Sequence, residues 1–183
     1  MPQGEAESLS TPKMGHINIE KRDLFKEKDT TQTMISFATL LPGITPRYYV
    51  YAFMLKNLLG EGIGSKLWSL RQVKNLAYHL GARINHAKHA GILQIRLKTD
   101  NSKKEKALAA LKEILINLYE KGITKEEFQN AKLHSWVNFL RNSETKDRRT
   151  FYLGFFEILD LGYDFFNTFF TYLNNVTFED FNS

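Results

Sequence analysis

LLGEGIGSKLWSLRQVKNLAYHLGA, residues 58–82, decides how this chain is read. Gly60, Gly62 and Gly64 interrupt it directly after an apolar run. Glycine permits the backbone angles that so tight an elbow needs. A short helix over about Ser65 to Lys74 comes next and carries Arg71. Tyr78 then opens a stretch of clean alternation, with Tyr78, Leu80, Ala82 and Ile84 on one face and His79, Gly81, Arg83 and Asn85 on the other. After a turn over 87–91, Leu93, Ile95 and Leu97 repeat the pattern within 92–98. The spacing predicts an antiparallel hairpin with one wet face.

The flanking segments extend this reading. Residues 15–20 alternate around Ile17 and Ile19 and predict a strand. Residues 32–41 predict a second, with Ile35, Phe37 and Thr39 on one face and Met34, Ser36 and Ala38 on the other. Both of its faces are nearly apolar, which predicts a central place in the sheet. Thr45 and Pro46 open a helix that runs to Leu59: a threonine can cap the free N–H groups, and proline suits the first helical position. The second half is helical. Ser102 with Glu105 and Thr124 with Glu127 have capping-box spacing. Leu108, Leu111, Ile114, Leu115 and Leu118 form a helical stripe closed by Gly122, and Phe128, Ala131, Trp136, Phe139 and Leu140 continue on the next helix. Two phenylalanine-rich helices follow, over 151–161 and 163–173. The fold class is α+β, an antiparallel sheet of about four strands with helices packed on one face.

Composition narrows the functional classes. With 183 residues, the chain suits one domain with a real core. Residues 1–13 are polar and read as a linker or expression remnant, leaving 14–183 as a single domain. Thr177 to Asp180 opens a new helix just before the last residues, which predicts truncation of a longer polypeptide. The leader lacks the basic start and apolar core of a signal peptide, and the run Tyr48–Leu55 is far shorter than the roughly 20 residues of a membrane span. A soluble protein of unassigned compartment is expected. There is no cysteine, hence no disulfide and no thiolate metal site. The net charge of +5 is spread through mixed runs such as Lys103–Lys106, which read as solvated faces and not as a nucleic-acid surface.

The 58–82 run resembles the signature of the non-catalytic, C-terminal type of domain in pitrilysin/insulinase-type zinc metallopeptidases, LLGGGxSSRLFxxLREKxGLAYxxxA. Leu59, Gly60, Gly62, Ser65, Leu67, Leu70, Arg71, Lys74, Leu76, Ala77, Tyr78 and Ala82 fall on it without a gap. DTTQT (29–33), KGITKEEF (121–128) and VTFED (176–180) are weaker points of similarity. The resemblance implies a half domain of the metallohydrolase-like fold. It also implies a divided chemistry, with zinc on a catalytic partner domain or subunit and the substrate held by this one. Arg71 and Tyr78 would be the substrate-binding pair. The arginine would donate to a backbone carbonyl of the peptide, and the tyrosine hydroxyl to the carbonyl next to zinc, where negative charge develops.

The family's catalytic signature, H-x-x-E-H, is missing from this sequence. No catalytic residue, metal ligand or cofactor is therefore expected in the chain, which would be inactive alone as part of a zinc metalloendopeptidase. Of His16, His79, His86, His89 and His134, only His86 and His89 lie close together, and they read as turn histidines. The three glycines lack the Gly-Lys-Ser/Thr ending of a phosphate loop. Three positions depart from the family pattern: Asn75 replaces a glycine, Lys66 an arginine, and His79 follows the tyrosine. Asparagine tolerates the left-handed conformation a glycine would adopt. The leading expectation is a substrate-holding domain of a zinc metallopeptidase that cleaves peptides, working in a homo- or heterodimer or a longer chain. The alternative of another class is a catalytically inert assembly subunit with the same fold. A basic module for nucleic acid is the remotest.

Overall fold

The computed structural model describes residues 30–60, 62–72 and 74–182. The predicted strand at 15–20 and the leader at 1–13 lie outside the described residues. Three strands are seen: β1 (Gln32–Pro42), β2 (His79–His86) and β3 (Ala90–Asp100). Their order is β1-β3-β2, with both pairings antiparallel. Alternation works as expected. Ile35, Leu97 and Leu80 form one cross-strand row, and Phe37, Ile95 and Ala82 the next. Their opposite face carries Ser36, Arg96, Arg83 and His79, all exposed.

Two expectations about the sheet need correction. β3, not β1, is the central strand of the described sheet. The outward side chains Met34, Ser36 and Ala38 are exposed, so their weak polarity reflects small or flexible groups on a wet face and not burial on two sides. The hairpin is also tighter than a turn over 87–91. His86 already faces Gly91, and the Ala87 N–H donates to the Ala90 carbonyl at 2.9 Å.

Helix α1 (Pro46–Gly60) starts where Thr45 Oγ1 accepts from the Tyr48 N–H at 3.2 Å. It is the hinge of the packing. On one side Leu59 joins Ile35, Leu93, Ile95 and Leu97 against the sheet; on the other Tyr49, Val50, Phe53 and Met54 enter an aromatic cluster. Its end passes close to β2. A Cβ on Gly60 would stand 2.4 Å from the Ala82 nitrogen, so only glycine lets the helix and strand meet there. Gly62 and Gly64 have φ of 78° and 89°, which form the elbow. The short helix α2 (Trp68–Gln72) follows.

Beyond the hairpin, α3 (Lys104–Lys121) packs Ala107, Ala110 and Leu111 beneath the sheet and ends at Gly122. The predicted capping box of Ser102 and Glu105 is not formed. Residues 101–103 make a 3-10 turn, and Lys103 caps α3 without a side-chain bond. Asn101 holds that turn, accepting from Thr33 Oγ1 at 2.7 Å and donating to the Thr30 carbonyl at 2.5 Å. The box of Thr124 and Glu127 is present at the start of α4 (Lys125–Asn142). Then come α5 (Lys146–Ile158), α6 (Phe165–Asn174) and the short α7 (Phe178–Asn182). α5 begins earlier than predicted because the Thr145 hydroxyl caps it.

The buried face of α4 differs from the expected stripe. Phe128, Ala131 and Phe139 are buried, but Trp136 and Leu140 are 44% and 42% exposed. Ser135 and Asn138 take the inward positions. There Asn57 of α1 donates to Ser135 Oγ at 2.8 Å and accepts from Asn138 at 3.1 Å. A buried polar group with full partners fits a core at little cost.

Candidate functional site

Arg71 and Tyr78 lie on either side of a short connection that the core fixes from below. Leu67, Leu70 and Ala77 are buried among the sheet-side residues. The Leu76 N–H donates to the Leu70 carbonyl at 2.8 Å, folding the segment back over α2. Asn75 has φ of 48°, so it takes the left-handed conformation expected at this position. The turn survives the exchange of glycine for asparagine. From it the Tyr78 N–H donates to the Lys98 carbonyl at 2.9 Å and leads into β2.

Both candidate side chains are exposed, Tyr78 to 51%. Arg71 makes no ion pair with the described residues. The Tyr78 hydroxyl donates to Asp100 Oδ2 at 2.5 Å. That bond to a carboxylate raises the phenol's pKa above the usual tyrosine value. Asp100 in turn faces Lys103, whose Nζ lies 3.9 Å from the same oxygen and donates to the Asn75 carbonyl at 3.1 Å. Sequence reasoning missed Asp100. The signal lay in the hairpin register, which brings the end of β3 alongside the residue preceding β2.

Lys66 does not project toward this pair's surface as a free cation. It bridges Glu127 Oε1 at 2.6 Å and ties the elbow to the start of α4. Burial raises the Glu127 carboxyl, but the bonds from Lys66 and Thr124 outweigh it and hold the pKa below the usual range. Among the described residues no group of three or more His, Cys, Asp or Glu could hold a metal ion. His79 and His89 are exposed, and His86 packs its ring 4.9 Å from Tyr49.

Burial lowers the His86 pKa from 6.5 to about 4. The unfolded chain takes up that proton first as pH falls, so the folded state loses stability between pH 6.5 and about 4. Above pH 6.5 this contribution is complete. The loss is expected to reach at most about 3 kcal/mol. Urea midpoints of the wild type and His86→Gln across that range check it; the gap between the two should change with pH only inside that window.

An open groove of about 960 Å³ lies elsewhere, between the start of α1, the end of α3 and α7, and neither Arg71 nor Tyr78 lines it. The candidate pair therefore sits on an open surface, outside that groove. No described helix is long and apolar enough to cross a membrane.

A sequence profile of the peptidase M16 inactive domain matches residues 5–134. The chain belongs to that family, the non-catalytic type of domain in pitrilysin/insulinase-type metallopeptidases. It is 36% identical over 88 residues to the non-peptidase homolog YmxG of Helicobacter pylori, a match covering 48% of this chain and 19% of that protein. A peptidase M16 inactive domain from Pseudomonas fluorescens superposes with a TM-score of 0.70 at 23% identity, over 84% of this chain and 36% of that one. An inactive peptidase domain from Bordetella parapertussis superposes with a TM-score of 0.69 at 14% identity, over 87% of both chains. The periplasmic protease PqqL of Escherichia coli gives 0.63 at 14% identity, over 86% of this chain and 18% of that one. These three likenesses concern the fold. The chain spans about a fifth of YmxG and about a third of the Pseudomonas fluorescens chain.

Proposed function

We propose that this domain holds peptide substrate for a zinc metallopeptidase whose zinc and general base belong to a partner domain or subunit. The observation that carries the reading is the placement of Arg71 and Tyr78. Both occupy motif positions, both are exposed, and the connection between them is anchored by buried Leu70 and Ala77. Two exposed donors on an anchored stretch of backbone suit one wall of a chamber completed by another domain. Arg71 offers a planar fork to a peptide carbonyl. Tyr78 offers one hydroxyl proton to the scissile carbonyl as negative charge gathers there. The chain's own residues contribute binding and charge stabilisation, and the described residues include no ligand set for zinc.

The second reading, an inert assembly subunit, draws support from one relative, the non-peptidase homolog YmxG. It keeps the fold and leaves Arg71 and Tyr78 without a substrate.

Three measurements on the purified chain test the proposal. Dialysed protein should retain no stoichiometric zinc and should not digest casein. Titration with unstructured casein peptides should show binding that Arg71→Ala weakens about tenfold, the loss of one charge-assisted contact. One tightly held zinc per chain, or chelator-sensitive cleavage by it, would overturn the division of labour. Peptide affinity that ignores Arg71 would favour the assembly subunit.

A further inference from the structure

The contact between Tyr78 and Asp100 bears directly on how such a site would work. A phenol has a single hydrogen to donate. Here it points at a carboxylate 2.5 Å away. A charged acceptor at that distance forms a stronger bond than a neutral peptide carbonyl would. Asp100 is the last residue of β3, and the turn after it is pinned to the start of β1 through Asn101, Thr33 and Thr30. Tyr78 is set by the Asn75 turn. Lys103 spans the two, touching both the Asn75 carbonyl and the Asp100 carboxylate. Donor and acceptor are therefore each held by separate backbone anchors. Both remain at the surface, with side-chain exposure of 34% for Asp100, so a ligand can exchange with the carboxylate without opening the core.

We propose that Asp100 is a positioning residue that latches Tyr78, holding its proton until a peptide carbonyl with developing negative charge displaces the carboxylate. The inference rests on the substrate-holding reading and adds to it a reason for selectivity. A neutral carbonyl competes poorly with Asp100, whereas an oxyanion competes well. The latch therefore suppresses ground-state binding at Tyr78 and reserves the hydroxyl for the transition state, the condition under which binding raises turnover. On release, Asp100 keeps the Lys103 ammonium as its counter-charge.

Asp100→Ala removes the competitor, and Asp100→Asn keeps an uncharged acceptor. The first readout is Tyr78 ionisation in 3-fluorotyrosine-labelled chain by 19F NMR, assigned with Tyr78→Phe. It should lie above that of free 3-fluorotyrosine in the wild type, return to it in Asp100→Ala and fall between in Asp100→Asn. The second is binding of casein peptides. Asp100→Ala should bind about 3- to 10-fold tighter, since a free hydroxyl can now meet a neutral carbonyl, and Tyr78→Phe in that background should abolish the gain. Unchanged ionisation in Asp100→Ala means there is no latch. Shifted ionisation with unchanged affinity, in variants that still bind peptide, overturns the latch and leaves the substrate-holding reading standing. No peptide binding by any variant, with the ionisation shift intact, overturns that reading and the latch's role together.

Discussion

On the substrate-holding proposal, Tyr78→Phe is expected to lower kcat of the peptidase completed by a catalytic partner by about 100-fold or more, the scale of deleting one oxyanion donor. The substitution removes a hydroxyl and keeps the ring. Stability should hardly change, because Tyr78 is half exposed and its hydroxyl bonds only to a surface carboxylate. KM should stay near the wild-type value if the proposed latch keeps the hydroxyl from the ground-state carbonyl. Arg71→Ala should behave differently. On the proposed reading its exposed guanidinium would grip the peptide backbone before and during the reaction, so KM should rise and kcat/KM fall. Steady-state kinetics of both variants, with melting curves beside them, make the comparison. Wild-type rates in both would leave only the shared fold and favour the assembly subunit.

The sequence carried those parts of the fold in which local pattern and tertiary contact agree. The inward rows of the hairpin were readable because Leu80, Ala82, Leu93, Ile95 and Leu97 alternate with residues on a wet face. Helix α1 was readable because Thr45 and Pro46 open it and Gly60 must close it. The buried face of α4 was not. Ser135 and Asn138 face inward because Asn57 meets them there, about eighty residues away in the chain, and no local period contains that partner. β1 misled for the opposite reason, since Met34 and Ala38 look apolar in sequence yet lie on the exposed side. At the candidate site, Arg71 and Tyr78 emerged from the family pattern and not from spacing. Asp100 required the register of β2 on β3, which turns on the length of a loop that the sequence leaves open.

Phe139→Ala is expected to destabilise the fold by about 3–5 kcal/mol, the usual range for emptying a fully buried aromatic site. Phe139 is 1% exposed and stacks on Phe169 with ring centroids 3.8 Å apart, while Phe53 of α1 meets it edge-on at 6.2 Å. Against a typical domain stability of about 5–15 kcal/mol, such a loss brings the chain near unfolding at ordinary temperature. Phe151, on the outer face of α5 and 57% exposed, is the internal control, and its alanine variant should move stability by no more than about 0.5 kcal/mol. Urea midpoints at constant m-value separate the two. The variant also tests whether the two halves of the core are one cooperative unit. α1 lies between the aromatic cluster and the sheet, and Gly60 at its end carries the elbow that leads to Arg71 and Tyr78. If the halves are coupled, Tyr78 should keep its raised ionisation in Phe139→Ala until the whole domain melts, and then lose it in the same transition. Loss of helical signal in α5 and α6 ahead of the Tyr78 change would instead show that the hairpin and its site stand without the aromatic cluster.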